Sequence, residues 1–241
     1  MSGSPPLYPV NLKIAGRLCL VVGGGPVAVR KAEVLLTGGG KVRVVSPEAA
    51  APLRRLAQTG RIEWLRRPYR TGDLDGAFLA IAATNRPDVQ RQVARDAAAG
   101  RVLLNSTDDP SACDFQVPSQ LKRGDLLITV STGGASPAFS RRIRERLEAE
   151  FGWEYGVIVE LLGRLRLLVM GGGGDAADHA VIFRDIMELD LVGHIREADW
   201  DGLVGVLRRV LPPDLDPKPV VRALVEAAGR EIEECSLRIG D

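Results

Sequence analysis

The chain has 241 residues, of which 45% are hydrophobic and 26% are charged, and its formal net charge is +1. This length and composition are sufficient for a well-formed core in one large or two smaller domains. The near-neutral charge gives no general attraction to nucleic acid and no long basic block supplies one locally, so we expect no nucleic-acid partner.

Cysteine and histidine usage points to a reducing compartment and to no metal site. Cys19, Cys113 and Cys235 lie far apart and form neither a CxxC pair nor a zinc-binding spacing. His179 and His194 have no partner at metal-binding spacing. The amino terminus lacks the apolar core of a signal peptide, and no apolar run approaches the ~20 residues of a membrane span. We therefore expect a soluble, cytoplasmic protein without a membrane partner.

Short apolar runs alternate with helical patterns over the first hundred residues. Helices are predicted between Gly25 and Thr37, over 47–60 and over 86–100. Strands are predicted over 17–22, 41–46, 61–67, 76–84 and 102–106. Such alternation predicts a parallel, doubly wound sheet, and the nearly continuous apolar run at 76–84 is typical of a strand covered on both faces.

The pattern changes in the second half of the chain. Two strand-like runs separated by QLKRG indicate a second, smaller sheet: 114–119 and 125–132. A helix follows with Ser136 as a plausible N-cap and Pro137 at its first position. From Trp153 onward strand signals fade and helical patterns prevail, interrupted at 171–178 and 211–219, with a final helix at 220–234.

The first predicted strand runs into three consecutive glycines. Gly23, Gly25 and Ala28 fill the dinucleotide fingerprint GxGxxA at a strand–turn–helix junction. The first glycine permits a tight turn, the second lets a pyrophosphate approach the backbone, and the small third residue lets helix and strand pack closely. The amino terminus of the helix then offers unpaired N–H groups to the phosphate. The alternative is a tight turn without a ligand.

The end of the second strand bears on the choice of cofactor. An NAD site often has Asp or Glu there to hold the ribose hydroxyls. Here the chain continues through Ser46, Pro47 and Glu48, of which Ser46 and Glu48 could bond a ribose hydroxyl. Arg43 lies within the strand and defines no evident site for a 2′-phosphate, so NAD is favoured over NADP.

Four motifs follow one another in a defined order: VVGGGPVAVRKAEVLL, AIAATN, NSTDDPSACDFQVPS and VSTGGASPAFSRRIRERLE. This order resembles the precorrin-2 dehydrogenase family, which comprises the amino-terminal modules of siroheme synthases, some of which also act as sirohydrochlorin ferrochelatases. The resemblance covers residues 7–150, with a looser helical match after them.

The resemblance implies a fold of three parts, in which a Rossmann domain binds NAD, a central segment dimerises and a helical domain closes over the tetrapyrrole. We therefore expect an α/β homodimer with a Rossmann-type parallel sheet, a small dimerisation segment and a C-terminal helical domain. The expected segments are the NAD-binding domain, the dimerisation and substrate-loop segment, the helical domain, and a linker with a C-terminal helix: 1–114, 115–150, 151–211 and 212–241.

The family reaction oxidises precorrin-2 to sirohydrochlorin and passes a hydride to NAD⁺. In the NSTDD loop, Asp108 matches the family's candidate acid–base residue. It follows a buried strand, where open α/β sheets place their sites, and a carboxylate near a nicotinamide could take a ring proton. Asp109 is the neighbouring alternative for this acid–base role. A non-catalytic alternative is that Asp108 and Asp109 form an Asx turn before Pro110.

The resemblance also assigns the binding positions. The phosphate loop matches Gly23, Gly24, Gly25, Pro26 and Val27. The adenosine side matches Ser46, Pro47 and Glu48, and Thr84 falls where the family approaches the nicotinamide half. The substrate-facing glycine loop matches Thr132, Gly133 and Gly134, and some family members carry serine where this chain has Thr132.

Precorrin-2 carries eight carboxylates and needs cations and N–H donors in its cleft. Residues 117–146 hold six Lys and Arg side chains against two acidic ones, a local excess of +4. Arg141 and Arg142 are the candidates for contact with the substrate, and a solvated helix face is the alternative.

Three functions stay open. The first is NAD-dependent oxidation of precorrin-2 in siroheme synthesis, or in a heme or cobalamin branch. The second is a bifunctional enzyme that also inserts Fe²⁺ into sirohydrochlorin, with Asp108 serving both reactions. The third is a module that senses NAD(H) without turnover, although such a sensor needs neither the acidic loop nor the local positive charge.

Overall fold

The computed structural model of the protein describes residues 7–107 and 109–227. The chain divides into two compact units, one ending at Val117 and the other beginning at Pro118. The expected division into four segments is finer than this and stays a prediction.

The first unit contains a five-stranded parallel sheet. Its strand order is β3-β2-β1-β4-β5, and each neighbouring pair is parallel. The elements in chain order are β1 (Leu18–Val22), α1 (Pro26–Thr37), β2 (Lys41–Val45), α2 (Ala51–Gln58), β3 (Ile62–Leu65), β4 (Leu79–Ala82), α3 (Pro87–Gly100) and β5 (Leu103–Ser106). The predicted Rossmann-type α/β fold is confirmed. Because the strand order reverses at β1 and β4, a crevice forms outside their carboxyl ends.

Each face of this sheet packs against its own helices. In β1, Val21 belongs to a buried cluster with Ala32 of α1 and Leu53 of α2. Its neighbour Leu20 points the other way, into a cluster with Val93 of α3. Since both faces are covered, all residues of β4 are buried, which explains its continuous apolar sequence.

The second unit joins a hairpin to a group of helices. Its elements are β6 (Ser119–Arg123), β7 (Leu126–Val130), α4 (Pro137–Glu150), α5 (Glu154–Gly171), α6 (Ala176–Met187), α7 (Leu191–Arg196), α8 (Trp200–Val210) and a further helical segment at 218–227. Leu161 and Leu165 of α5, Ile195 of α7 and Leu207 of α8 are fully buried in one apolar cluster. The part of the predicted final helix beyond residue 227 lies outside the described residues.

No helix within the described ranges combines the length and the apolar character needed to cross a membrane.

The first strand of the small sheet is displaced from its predicted position. The sequence pattern favours a strand at 114–119 with QLKRG as the connection, and this assignment is wrong. QLKR belongs to β6, which pairs antiparallel with β7. A two-residue turn of Gly124 and Asp125 joins the strands, with Gly124 at φ +52°. Only Leu121 of β6 is buried, so pairing with β7, rather than an apolar pattern, defines this strand.

Candidate functional site

A cavity of about 1300 Å³ opens at the carboxyl ends of β1, β2 and β4. It brings together all the positions that the sequence assigns to the cofactor, which come from three separate connections. These are Gly23, Gly24, Gly25, Pro26, Val27, Ser46, Pro47, Glu48 and Thr84. The cavity thus lies at the switch point of the sheet, where open α/β proteins bind ligands.

The three glycines of the phosphate loop differ in what surrounds them. Gly23 has φ +129°, and a Cβ there would lie 2.2 Å from the carbonyl oxygen of Ala83. A Cβ on Gly24 would lie 1.9 Å from the carbonyl oxygen of Glu48. At Gly25 no atom lies within 4 Å of the corresponding position, and φ is an ordinary −81°. The space beside Gly25 is therefore not filled by the protein, and it fits the close approach of a pyrophosphate.

The start of α1 completes this phosphate cradle. Gly25 is the N-cap, Pro26 is the first helical residue, and no side chain caps the helix. The first turn also contains no acidic residue. The positive end of the helix dipole and its unpaired N–H groups are therefore available to an anion.

Hydrogen bonds hold the connection after β2 on the adenosine side of the cavity. Ser46 is buried, and its Oγ donates to the carbonyl oxygen of Glu48 at 2.5 Å. The indole Nε1 of Trp64 donates to the carbonyl oxygen of Ser46 at 3.0 Å. Glu48 itself is exposed and lines the cavity. Its carboxylate is therefore a candidate to accept hydrogen bonds from ribose hydroxyls.

Arg43 is not one of the residues that line this cavity. Its Nε lies 2.7 Å from the Glu63 carboxylate on the neighbouring strand β3. The guanidinium is therefore paired within the sheet.

Several residues around the cavity were not predicted from the sequence. They include Arg54, Trp64, Arg66, Asn85, Arg86 and Thr107. Arg54 donates through Nη1 to the carbonyl oxygen of Ala49 at 2.7 Å, and the Arg66 guanidinium lies 5.7 Å from the centroid of a Trp64 ring. Trp64 and Arg66 reach the cavity because β3 pairs with β2, a neighbour relation that the predicted elements alone do not specify.

The connection after β4 is fixed by the start of α3. The carbonyl oxygen of Thr84 accepts a hydrogen bond from Nε2 of Gln90, and its Oγ1 accepts one from the backbone N–H of Arg86 at 3.3 Å. Thr84 is thereby held at the edge of the cavity, next to the Ala83 backbone against which Gly23 packs.

The NSTDD loop begins at Asn105, whose side-chain amide is hydrogen-bonded through both its oxygen and its nitrogen. Asn105 donates through Nδ2 to the carbonyl oxygen of Phe115 at 3.0 Å and accepts through Oδ1 from Lys31 Nζ at 3.3 Å. Burial lowers the pKa of Lys31, and the neighbouring charge of Arg30 lowers it further. Lys31 belongs to the GGGPVAVRK motif, so this contact links the phosphate-loop helix to the start of the acidic loop.

The structure describes one of the two aspartates of the loop, Asp109. Asp108 lies outside the described residues, and its role stays a prediction. Asp109 accepts two hydrogen bonds through Oδ1, from the Ser111 N–H at 3.0 Å and from Ser111 Oγ at 2.5 Å, and it caps a short 3₁₀ helix at Pro110–Ala112. These bonds hold the pKa of Asp109 below its usual range. The turn considered before Pro110 is thus formed by Asp109.

The glycine loop assigned to the substrate is a tight turn that leads into α4 in the second unit. Thr132 Oγ1 accepts from the Ser136 N–H at 3.0 Å and from Ser140 Oγ at 3.2 Å. Gly133 and Gly134 have φ values of +61° and +85°, in the region that favours glycine. The predicted cap of α4 is confirmed, since Ser136 Oγ accepts from the Phe139 N–H at 3.2 Å.

The arginines of α4 are partly neutralised by their own helix. Arg141 Nε lies 2.8 Å from a carboxylate oxygen of Glu145, and the Arg141 side chain is 73% exposed. Arg144 pairs in the same way with Glu148. Arg142 is exposed and has no ion pair within the described ranges. Part of the local positive charge therefore lies on a solvated helix face, which is the alternative given above. Arg142 is the stronger of the two candidates for contact with the substrate, because Arg141 already forms an ion pair.

The two histidines have local partners. A ring nitrogen of His179 lies 3.0 Å from the carbonyl oxygen of Gly173, and Nδ1 of His194 lies 2.8 Å from the Asp199 carboxylate. Within the part of the chain that the structure describes, no group of three or more His, Cys, Asp or Glu side chains is arranged to hold a metal ion.

The parallel sheet and its phosphate cradle define a Rossmann-type protein of the kind that binds dinucleotides. Residues 10–119 match the family of NAD(P)-binding domains, and residues 123–150 match the family of sirohaem biosynthesis protein central domains. The chain thus joins a domain of the NAD(P)-binding family to the central domain of the sirohaem biosynthesis proteins.

Curated relatives and a solved structure are similar to this chain. The siroheme synthase of Methylobacillus flagellatus is 37% identical over 180 residues, which cover 75% of this chain and 38% of the relative. The siroheme synthase of Pseudomonas putida is 38% identical over 212 residues, which cover 88% of this chain and 45% of the relative. The chain thus spans about two fifths of the length of these relatives. The structure of SirC, a precorrin-2 dehydrogenase, aligns with a TM-score of 0.69 and 26% identity over 85% of this chain and 98% of SirC.

Proposed function

We propose that this protein is a precorrin-2 dehydrogenase that oxidises precorrin-2 to sirohydrochlorin with NAD⁺ in siroheme biosynthesis. The observation that carries the proposal is the open phosphate cradle at Gly25 on the same sheet edge from which the NSTDD loop leaves β5. The similarity to SirC, which extends over 98% of that chain, supports the dehydrogenase activity.

The residues present fit the cofactor. The backbone at Gly25 and the amino terminus of α1 hold the pyrophosphate, and Glu48 accepts hydrogen bonds from the adenosine ribose. Thr84 lies toward the nicotinamide half, as the resemblance implies. When bound, the nicotinamide accepts the hydride that leaves the macrocycle.

Asp108 takes up the ring proton that leaves as the hydride is transferred, so that precorrin-2 and NAD⁺ give sirohydrochlorin, NADH and a proton. Asp109 is less suited to this step. The hydrogen bonds from Ser111 occupy its Oδ1 and hold its pKa low, which makes it a weak base.

We assign NAD rather than NADP because the Glu48 carboxylate repels a 2′-phosphate and Arg43 is paired with Glu63. Titration with NADH and NADPH, followed by nicotinamide fluorescence, tests this assignment. We expect NADH to bind about tenfold more tightly or better, and Glu48→Gln to narrow the difference. Tighter binding of NADPH would instead assign Arg54 and Arg66 to a 2′-phosphate.

The remaining assignments follow the family resemblance. We place the protein in the cytoplasm and propose a homodimer formed through segment 115–150, which analytical ultracentrifugation tests. Fe²⁺ is a further substrate in the bifunctional alternative, and adding it to the completed oxidation tests whether siroheme forms.

The central experiment is an anaerobic assay of the purified protein with precorrin-2 and NAD⁺, in which NADH and sirohydrochlorin are followed together. We expect both to form at equal molar rates. Asp108→Asn should lower kcat by about 10²-fold or more without changing the affinity for NADH. Asp201→Asn, at an exposed position of α8, is the matched control and should behave as wild type. Binding of NADH without formation of either product would favour the sensing module.

A further inference from the structure

A second cavity of the first unit lies between α3 and the chain that follows β5. Its volume is about 560 Å³, and its polar lining comprises Gln90, Arg91, Arg95, Ser106 and Asp109. It shares no lining residue with the cofactor cavity. It therefore offers a binding volume beside the acidic loop that the cofactor does not use.

Ser106 is the feature of this cavity that points to a ligand. The residue is 7% exposed, and its buried Oγ has no hydrogen-bond partner among the described residues. Because side chains alternate along a strand, Ser106 faces the same side as Leu104, which packs in the cluster that contains Val93 of α3. A buried hydroxyl without a partner is costly, and such exceptions in native proteins call for an explanation.

Arg91 and Arg95 supply positive charge at the same cavity. They are four residues apart on α3 and lie on one face, where two like charges repel each other. Neither forms an ion pair with any residue of the described ranges, in contrast to Arg86, which pairs with Asp88. Asp109 is the one acidic residue in the lining, so two arginines and one carboxylate leave the cavity with a net charge of +1.

We propose that this cavity is a subsite for one peripheral carboxylate of the tetrapyrrole. The guanidinium groups of Arg91 and Arg95 donate hydrogen bonds to the carboxylate, and the Ser106 hydroxyl donates a further one. The inference rests on the proposed function. Since Ser106 precedes Asp108 by two residues, a carboxylate held here positions the macrocycle edge at the acidic loop.

Loss of the two cations should weaken binding of the tetrapyrrole and leave cofactor binding unchanged. In the Arg91→Gln/Arg95→Gln protein we expect the Kd for sirohydrochlorin and the KM for precorrin-2 to rise about tenfold or more. We expect the Kd for NADH to stay at the wild-type value. Arg55→Gln is the matched control, because Arg55 is an exposed arginine on α2 outside both cavities.

Replacement of the hydroxyl gives a second, independent signature. Ser106→Ala removes an unsatisfied buried group, so the Tm of the ligand-free protein should rise by about 2–4 °C. The same change should weaken sirohydrochlorin binding, by about three- to tenfold. A purely structural serine would give a lower Tm and unchanged binding of sirohydrochlorin.

The outcomes separate the subsite from the proposed function. The subsite alone would be overturned if the wild-type protein oxidises precorrin-2 and the Arg91→Gln/Arg95→Gln protein keeps the same Kd for sirohydrochlorin and the same KM for precorrin-2. A lower Tm with unchanged binding in Ser106→Ala would overturn the role of that hydroxyl. Wild-type protein that binds NADH but neither binds sirohydrochlorin nor oxidises precorrin-2 would overturn both proposals.

Discussion

At the residue scale, adjacent glycines of the phosphate loop are needed for different physical reasons. Gly24 is required by the protein itself, because a Cβ would overlap the carbonyl oxygen of Glu48, whereas the space beside Gly25 is open. Gly25→Ala should therefore reduce NADH affinity about tenfold or more while the Tm stays near the wild-type value. Gly24→Ala should lower the Tm markedly, since overpacking costs about 1–3 kcal/mol or more.

Fluorescence titration and thermal unfolding of the two variants measure both effects. Unchanged NADH affinity in a correctly folded Gly25→Ala protein would contradict a phosphate at this position.

Asp73 shows how a buried carboxylate couples stability to pH. It is 7% exposed and accepts hydrogen bonds from the Arg67 guanidinium at 2.6 and 2.9 Å and from the Arg70 N–H at 2.8 Å. Burial by itself raises the pKa of Asp73, but the bonds from Arg67 and Arg70 outweigh it and the pKa lies below the usual 3.8. A carboxyl with a depressed folded-state pKa stabilises the protein above its unfolded-state pKa, and this stabilisation is lost as pH falls through the folded-state value.

Asp73→Asn should accordingly lower the free energy of unfolding at neutral pH by about 1–3 kcal/mol. The difference from wild type should shrink as pH falls below 3.8, because the carboxyl of the unfolded chain becomes neutral there, and it should be smallest below the lower folded-state pKa, where the native carboxyl is neutral as well. Urea unfolding of both proteins across a pH series measures this difference in the free energy of unfolding. A difference that stays constant into strong acid would rule out the ionised carboxylate as its source.

At the element scale, α4 depends on the loop that precedes it. Ser136 caps the helix and its N–H in turn bonds Thr132, so the glycine loop and the first turn of α4 form one hydrogen-bonded unit. Ser136→Ala should cost about 1 kcal/mol of stability, whereas Ser136→Asp keeps the cap and should cost little. Thermal unfolding of the two proteins provides the comparison, and equal Tm values would show that the cap contributes nothing.

The elements also show where sequence patterns succeed. The strands and helices of the first unit have strong apolar periodicity and clear glycine ends, so their positions were predicted to within a few residues. β6 has a single buried residue, so its sequence lacks a clear apolar pattern. Its position was predicted wrongly because pairing with β7, rather than its own sequence, defines the strand. Helices α6 and α7 were covered only by the general expectation of helical structure after Trp153.

At the scale of the whole molecule, every residue that lines the cofactor cavity belongs to the first unit. A fragment that ends at Val117 should therefore fold and bind NADH with an affinity close to that of the full chain. It should not oxidise precorrin-2, because the loop at Thr132–Gly134 is missing. Circular dichroism and NADH titration of the fragment test this, and a folded fragment without NADH affinity would show that the cofactor site needs the second unit.

The amino-acid sequence by itself determined the sheet, the position of the phosphate loop and the family resemblance, because strand and helix periodicity, glycine turns and motif order are local properties of the chain. Only the tertiary structure placed Trp64 and Arg66 beside the cofactor cavity and joined Lys31 to Asn105 across 74 residues. It also left the Ser106 hydroxyl, beside two arginines, without a partner among the described residues. Those features depend on which strands pair and which helix covers them. Such contacts between distant segments decide which polar groups find a partner within the protein and which remain for a ligand.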